Sequence, residues 1–419
     1  MIRARLRRYT FARIRAHVTR QYRDFREALL VTPHVDAQGA PEAVFADITV
    51  VPPKHPYYHG APGAQGRLCA GPVYPADHGG YGNWVRHRAH RSVVDHLPES
   101  PTGEVTRLDG PAVWLGYLHT QFGHLVAESA TRMLWSRSHR PNDTYLFAMA
   151  PGATPVNAGL HVRDVMAWFG LPKAQLRQVT GPLLVEELRV FPQAELLGGA
   201  GPCEDYLALL ARNAAAAGIA PIKSEVLFVT RAGMLALQTG SHAGEGYLRD
   251  VLAGMGVVIL DPARKSVRSQ IAHYLGAKRI IFSEGSALHG RQLLGRLPQD
   301  VVVLNRRPQN RTAEGALRPR VRELTYAECA GAIASPVRNG KPVHNHGLSF
   351  YDTDVLLDSL QSVCPPLRKA WRPAAYAQAV ERDIALWAHH LSRSVHGYDK
   401  ATLIRLARET SGFKQEAAA

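Results

Sequence analysis

Three polar residues in segment 116–135 have the types and the spacing of a chemical site. His124, Glu128 and Arg132 follow one another at intervals of four residues, so on a helix they form one stripe. A histidine next to a carboxylate is a pair that can hold and move a proton. The same spacing also suits a solvated helix face, where a pair contributes about 0.2–0.5 kcal/mol. Both interpretations remain open on spacing alone.

A second group has the chemistry to bind an anion. Arg231 follows an apolar run at 225–230, and a Gly285-Ser286 turn follows another at 279–282. We expect a helix to start near Ala287, with its N-terminal N–H groups and dipole directed at whatever lies over the turn. The position of these residues at strand ends favours a phosphate site.

The elements that position these residues are predicted by alternation of apolar runs with segments of helical period. Residues 224–304 read as strand, helix, strand, helix, strand, helix, strand, which predicts a parallel sheet covered on both faces. Residues 112–115 form a strand whose following turn and helix place His124 near the carboxyl edge of a second sheet. Ligands of open α/β sheets bind at that edge.

The chain of 419 residues is too long for one ordinary core. We predict a basic arm at 1–25, an N-terminal α/β domain at 26–204, a nucleotide-binding Rossmann-like domain at 205–340 and a helical segment at 341–419. The Gly-rich stretch 194–201 marks the boundary between the two α/β domains.

The distribution of charge and the spacing of the cysteines limit the classes of protein that fit this sequence. Of the formal charge of +15, residues 1–25 carry eight arginines against one acidic residue. This arm predicts an amphipathic helix on an anionic membrane surface, with a solvated helix or a transit peptide as alternatives. The rest is only mildly basic, so we expect no nucleic-acid partner. Four scattered cysteines without a CxxC pair predict neither a disulfide framework nor a zinc site, and fit a cytoplasmic protein.

Three blocks within residues 115–305 resemble glycosyltransferase family 61, which includes bacterial capsular-polysaccharide-type proteins. The blocks are His124-Leu-Val-Ala-Glu128-Ser-Ala-Thr-Arg132, Leu227-Phe-Val-Thr-Arg231 with Glu245, and Asp261-Pro262 through Ser269-Gln270-Ile271 to Glu284-Gly-Ser-Ala-Leu288. They are similar to the family's His-Trp-x-x-Glu-x-x-Pro-Arg, its strand–Arg loop with a later Asn-Glu, and its Pro…Glu-Gln-Ile…His-Gly-Ala-Gly-Leu ending. The chain departs from the family at Leu125, Thr131, Glu284 and Gly290, where Trp, Pro, His and Asn are usual.

The resemblance implies a GT-B-type fold, in which two Rossmann-like domains face each other, and we expect the C-terminal helices to pack across both. It implies an inverting, metal-independent glycosyltransferase without a cofactor. The co-substrate would be a UDP-, GDP- or CMP-linked sugar, and the acceptor a hydroxyl of a glycan or glycolipid in bacterial surface polysaccharide synthesis. The alternative is a non-catalytic glycan- or nucleotide-binding protein of the same fold.

On that basis the candidate residues receive roles. His124 would be the base, or position it, with Glu128 orienting its ring. Arg231 and the N–H groups of Gly285 and Ser286 would hold donor phosphate. Lys265 and Arg268 are further candidates for the phosphate, and Glu284 for hydroxyls of the donor's ribose or sugar. The arm would place a cytoplasmic enzyme at the inner face of the membrane.

Overall fold

The computed structural model describes residues 42–53, 70–74, 100–199, 201–237, 239–394 and 396–412. The predicted arm at 1–25 lies outside these residues, as does Cys69. The other three cysteines are free thiols. Within the described part of the chain, no helix is long and apolar enough to cross a membrane.

The N-terminal half is built on a six-stranded mixed sheet. Its strands are β1 (Ala43–Val51), β2 (Gly71–Pro72), β3 (Thr106–Tyr117), β4 (Thr144–Ala148), β5 (Leu176–Gln178) and β6 (Leu183–Val190), in the order β2-β1-β6-β3-β4-β5. Strands β6, β3, β4 and β5 are parallel, whereas β1 and β2 pair antiparallel at one side. After β3 the chain continues to β4 and β5 on one side of β3, and it then crosses to β6 on the other side. The order of the strands therefore reverses beside β3.

Helical segments connect these strands. They are α1 (Phe122–His124), a π-helical turn (Leu125–Ser129), a 3-10 turn (Ala130–Arg132), α2 (Met133–His139), α3 (Leu160–Trp168) and a 3-10 turn (Lys173–Gln175). The chain bends at Gly170, whose φ of 67° ends the α3 segment.

The C-terminal half contains the predicted parallel sheet. Strands β7 (Ser224–Val229), β9 (Val258–Leu260), β10 (Ala277–Ser283), β11 (Asp300–Leu304) and β12 (Glu323–Ala327) lie in the order β12-β11-β10-β7-β9, while β8 (Ser241–His242) belongs to another sheet. Alternate residues face different cores: Leu227 packs into one apolar cluster and Phe228 into another. The prediction of a parallel sheet covered on both faces is therefore confirmed, and the chain is a mixed α/β protein.

Helices of this half flank the sheet. They are α4 (Glu204–Ala216), α5 (Glu245–Gly254), α6 (Val267–Gly276) and α7 (Glu314–Leu317), with 3-10 helices at Ala232–Leu237, Pro262–Arg264, Ser286–Leu293 and Arg318–Arg320. Ser266 caps α6, since its hydroxyl accepts a hydrogen bond from the Ser269 N–H at 3.2 Å.

The C-terminal segment is not purely helical. Strands β13 (Ala330–Ala334) and β14 (Val337–Arg338) precede the predicted segment 341–419, which contains β15 (Lys341–Pro342), a 3-10 turn (His344–His346), β16 (Leu348–Tyr351), α8 (Thr353–Ser359), α9 (Leu367–Ala370), α10 (Pro373–Ser392) and α11 (Lys400–Ser411). Strand β16 joins β13 and β8 in a three-stranded sheet. The prediction that the terminal helices pack across both halves is wrong. Among the described residues, the apolar cluster they enter contains nothing before Val226, because their apolar faces cover one side of the C-terminal sheet.

The other side of that sheet joins the N-terminal half. One apolar cluster runs from Val113 to Leu324 and includes residues of both halves. A buried ion pair crosses the same joint, with Arg320 Nη2 at 2.7 Å from Glu195 Oε1. The indole N–H of Trp168 also donates to the Leu293 carbonyl at 3.1 Å. The two halves thus share a continuous core.

Candidate functional site

The carboxyl ends of β7 and β10 form a reversal point in the parallel sheet. The chain passes from β7 to β9 on one side, whereas β10 lies on the other side of β7. Arg231 follows β7 and Gly285 follows β10 by two residues each. Ligands of open parallel sheets bind in the crevice at such a point.

Arg231 lies against Gly285 in this crevice. A Cβ added to Gly285 would stand 1.9 Å from Nη1 of Arg231, so only glycine leaves room for the guanidinium. Arg231 Nη2 donates to the Gly240 carbonyl at 2.8 Å. Burial lowers the pKa of Arg231, although Glu245 and Glu284 oppose this effect. The structure therefore brings together the arginine and the turn that the sequence predicts as an anion site.

Glu245 ties the ends of the two strands together. Its carboxylate accepts hydrogen bonds from the Thr230 hydroxyl at 2.7 Å, the Ser283 hydroxyl at 2.9 Å and the Arg231 N–H. Burial raises the pKa of Glu245, and these hydrogen bonds act in the opposite direction. Glu245 thus fixes the backbone from which Arg231 projects.

Glu284 organises the loop that follows β11. Oε1 accepts from Arg307 Nε at 2.9 Å, Arg307 Nη2 at 2.6 Å and Asn310 Nδ2 at 2.6 Å. Oε2 accepts from the N–H groups of Arg306 and Arg307 at 2.9 and 2.8 Å. Burial alone would raise the pKa of Glu284, but Arg307 and Arg306 outweigh it and lower the pKa to about 2. Both oxygens are thus occupied by protein donors, whereas the sequence assigned Glu284 to ligand hydroxyls.

A second buried arginine stands beside Arg231. A Cβ on Gly240 would be 2.2 Å from Arg306 Nη1, so both guanidinium groups contact Gly240. Burial lowers the pKa of Arg306 to about 9, which leaves it charged at neutral pH. Arg231, Arg306 and Arg307 together outnumber the two carboxylates that lie among them, Glu245 and Glu284. The crevice therefore carries an excess of positive charge.

His242 is buried close to Arg306 and Arg231. Its ring stacks on Tyr351 with centroids 4.0 Å apart. Burial, reinforced by Arg306, lowers the pKa of His242 to about 3, so the ring is neutral at physiological pH and adds no charge. It reaches this position because β8 pairs with β16.

In the N-terminal half, the His124 segment is a composite helix rather than the predicted regular one. The π-helical turn Leu125–Ser129 interrupts it, and a 3-10 turn follows. Such insertions are frequent at functional sites. The Ser129 hydroxyl donates to the Tyr117 carbonyl at 2.7 Å, which anchors the widened turn to the end of β3.

His124 and Glu128 form the predicted pair. Nδ1 of His124 is hydrogen-bonded to Oε1 of Glu128. The histidine side chain is 20% exposed, whereas the carboxylate is fully buried. A carboxylate accepts, so Nδ1 carries the proton and Nε2 is the basic nitrogen. Arg132 is buried, with Nη1 3.6 Å from the Cβ position of Gly116.

The two sites meet at Gly123. A Cβ on this residue would lie 3.1 Å from Ser286 Oγ and 3.2 Å from Cδ2 of His289. The residue before His124 therefore contacts the turn that follows β10. The imidazole–carboxylate pair of the N-terminal half thus begins one residue after the contact with the Gly285-Ser286 turn of the C-terminal half.

His289 is a second imidazole at this junction, after His124. It is half-buried, and its Nδ1 is 2.5 Å from Oε1 of Gln292. Burial lowers the pKa of His289 to about 4, an effect that His124 reinforces and Gln292 opposes. The ring is therefore neutral at pH 7 beside the His124–Glu128 pair.

The structure does not bring the two further phosphate candidates into this crevice. Arg268 is exposed on α6, and its Nη2 donates to the Ala217 carbonyl at 3.3 Å, beyond the end of α4. Lys265 is exposed on the turn after the edge strand β9.

No protein-family model matches the chain, and no curated protein is significantly similar to it. The residues themselves therefore carry the functional argument. Within the residues that the structure describes, no group of three or more His, Cys, Asp and Glu side chains is arranged to hold a metal ion.

Sequence reasoning missed Arg306, His242 and His289. Arg306 could have been found, because it follows a buried strand in the same way as Arg231 does. His242 gave no signal, since its position depends on β16, more than a hundred residues later. His289 lies three residues after Ser286 and so shares a face of the helix with it, but its contact with Gly123 of the other half left no trace in the sequence.

Proposed function

We propose that the protein is an inverting glycosyltransferase. It would move a sugar from a nucleotide-linked donor to a hydroxyl of a glycan or glycolipid. The observation that carries this proposal is the junction at Gly123 and Ser286. There an imidazole backed by a carboxylate lies next to a crevice walled by buried arginines.

The two groups match the two demands of sugar transfer. The acceptor oxygen attacks the anomeric carbon while the bond from that carbon to the donor phosphate oxygen breaks. The departing nucleoside phosphate keeps the electron pair, and His124 Nε2 takes the acceptor's proton. Attack from the side opposite the leaving group inverts the anomeric centre. Buried Glu128 stabilises the imidazolium that forms.

The charge on the leaving group requires positive charge fixed in advance. Arg231 and Arg306 supply it, together with the N–H groups at Gly285 and Ser286. These groups would provide the charge compensation that a divalent cation gives in other transferases. Lys265 and Arg268 have no part in this proposal, and Glu284 acts by holding the Arg306–Arg307 loop.

The resemblance to glycosyltransferase family 61 adds to this proposal. Each of its three blocks contributes residues near the junction: His124 and Glu128 on one side, and Arg231, Glu245 and the Gly285-Ser286 turn on the other. We propose a GT-B-type arrangement in which the acceptor is bound by the N-terminal half and the donor by the C-terminal half. The setting would be bacterial surface polysaccharide synthesis in the cytoplasm.

Residues 1–25 would hold the enzyme at the inner face of the membrane through their arginines. Vesicle co-sedimentation tests this role. Removing residues 1–25 should reduce binding to vesicles that contain phosphatidylglycerol, while activity on a soluble acceptor is kept. Equal binding of the full and shortened chains would count against it.

A ligand-binding screen followed by an activity assay tests the central proposal. UDP, GDP, CMP and their sugars are compared by thermal shift, because a ligand that binds only the native state raises the unfolding midpoint. The sugar that binds is then incubated with the protein, and release of the nucleotide is measured. Binding without release or transfer would favour the non-catalytic alternative, and no binding would exclude both.

A further inference from the structure

His289 lies where the Gly285-Ser286 turn meets the segment that carries His124. It shares one helix, Ser286–Leu293, with the turn that we propose holds donor phosphate. In a 3-10 helix the side chains at i and i+3 eclipse, so Ser286 and His289 lie on the same face. Both contact the Cβ position of Gly123, at 3.1 and 3.2 Å. His289 therefore lies at the contact between the halves, close enough to His124 for the charge of His124 to lower its pKa.

The hydrogen bond of its ring defines what His289 can do. Gln292 Oε1 lies 2.5 Å from Nδ1. A carbonyl oxygen accepts, so Nδ1 carries the proton and Nε2 has the lone pair. Among the atoms of His289, Cδ2, the ring atom bonded to Nε2, is nearest the Gly123 position, at 3.2 Å. The accepting nitrogen is thus bonded to the ring atom that contacts the Gly123 position.

The two imidazoles differ in the group that is hydrogen-bonded to Nδ1. A carboxylate backs His124, whereas a neutral amide backs His289. The first environment favours a ring that gains a proton during the reaction, and the second favours one that stays neutral. The pKa of about 4 for His289, lowered by burial, supports this difference.

We infer that His289 accepts a hydrogen bond from a hydroxyl of the transferred sugar and thereby selects the donor. This inference rests on the proposed function and extends it, because it names a residue that reads the sugar rather than the nucleotide. His289 is a specificity-determining residue, and His124 remains the base.

Binding measurements on matched variants test this assignment. His289→Leu removes the acceptor at similar volume, and His289→Gln keeps one. His390→Leu, on α10, is the control for replacing a histidine elsewhere. Affinities of the purified full chain are measured for UDP, GDP and CMP, and for UDP-glucose, GDP-mannose and CMP-N-acetylneuraminate. Circular dichroism verifies that each variant keeps the wild-type fold.

The expected result is a loss of affinity for the nucleotide sugar without a loss of affinity for the plain nucleotide. All variants should bind the plain nucleotide equally. His289→Leu should bind the corresponding nucleotide sugar roughly 3- to 10-fold more weakly, which is the range for one lost hydrogen bond. His289→Gln should recover most of this loss. In donor hydrolysis, His289→Leu should raise KM more than it lowers kcat.

Two results would overturn the inference, and they are distinct from failure of the proposed function. One is unchanged affinity of His289→Leu for the nucleotide sugar. The other is an equal loss for nucleotide and nucleotide sugar, which would mean that His289 only supports the turn. If the wild-type protein binds none of the six compounds, the proposed function fails and this inference fails with it.

Discussion

The guanidinium of Arg231 occupies the space in which a side chain of Gly285 would stand. Nη1 lies only 1.9 Å from the position of a Cβ on that glycine. The φ of Gly285 is 167°, which any residue can adopt, so the requirement for glycine here is one of space. The arginine and the turn are therefore one unit, although they are 54 residues apart in the sequence.

Replacing Gly285 should test that unit directly. Gly285→Ala forces Arg231 away from the turn, and we expect nucleotide binding to weaken about 10- to 100-fold, the effect of losing one charge-assisted hydrogen bond or two. Gly246→Ala is the matched control, because a Cβ there has no neighbour within 4 Å. Calorimetric titration with the nucleotide identified by thermal shift gives the comparison. Equal affinity of both variants would show that Arg231 does not contact the ligand.

Glu284 should make stability depend on pH. Its pKa of about 2 is below the ordinary value of 4.5, so the ionised form stabilises the fold above pH 4.5 and this contribution is lost as the pH falls towards 2. We expect Glu284→Gln to cost about 3 kcal/mol at pH 7 and much less at pH 3. Urea unfolding at both pH values measures the difference. The same cost at pH 3 and pH 7 would contradict a charged Glu284.

The His124–Glu128 pair should control the chemical step. His124→Ala removes the proposed base, and turnover should fall by about 10²- to 10⁴-fold while the donor affinity is kept. Glu128→Gln keeps a polar partner but removes the charge that stabilises the imidazolium, so a smaller loss in kcat is expected. Donor turnover at saturating acceptor measures both, with His390→Ala as the control. Near-normal turnover by His124→Ala would eliminate it as the base.

The buried pair between the halves should contribute strongly to stability. Arg320 and Glu195 are almost fully inaccessible, so Glu195→Gln leaves a buried charge without its partner and should cost about 3–5 kcal/mol. Glu225→Gln is the control, because Glu225 and its partner Lys278 are more than 70% exposed, and pairs of that kind contribute about 0–1 kcal/mol. Chemical denaturation of both variants is compared. Similar losses would mean that solvent reaches the Arg320 site.

The sequence predicts the C-terminal sheet well because its signal is local. Strands β7, β10 and β11 are apolar on both faces, and each is bounded by polar residues, so their type and direction follow from alternation with helices. The His124–Glu128 pair was equally predictable from the sequence, because residues four positions apart come together even where the helix contains a π-helical turn. Predictions of this kind need no knowledge of distant parts of the chain.

Features that depend on distant parts of the chain were not predictable. His242 lies in a two-residue strand that forms only because β16 pairs beside it. The terminal helices were expected to bridge the halves, but their apolar faces fit the free side of the C-terminal sheet. Glu284 looked available for a ligand, because nothing in the sequence shows that Arg307 and Asn310 return to it. The domain boundaries proposed from composition stay predictions.

The core shared by the two halves also determines whether the candidate site can be isolated as a fragment of the chain. A fragment that begins at residue 205 would keep Arg231, Glu284 and the Gly285 turn. It would also expose the apolar side of β7 and β10 to water and leave Arg320 without Glu195. The C-terminal half is therefore not an independent module, and exchanging it for the corresponding part of another protein would require redesigning the surface that joins the two halves.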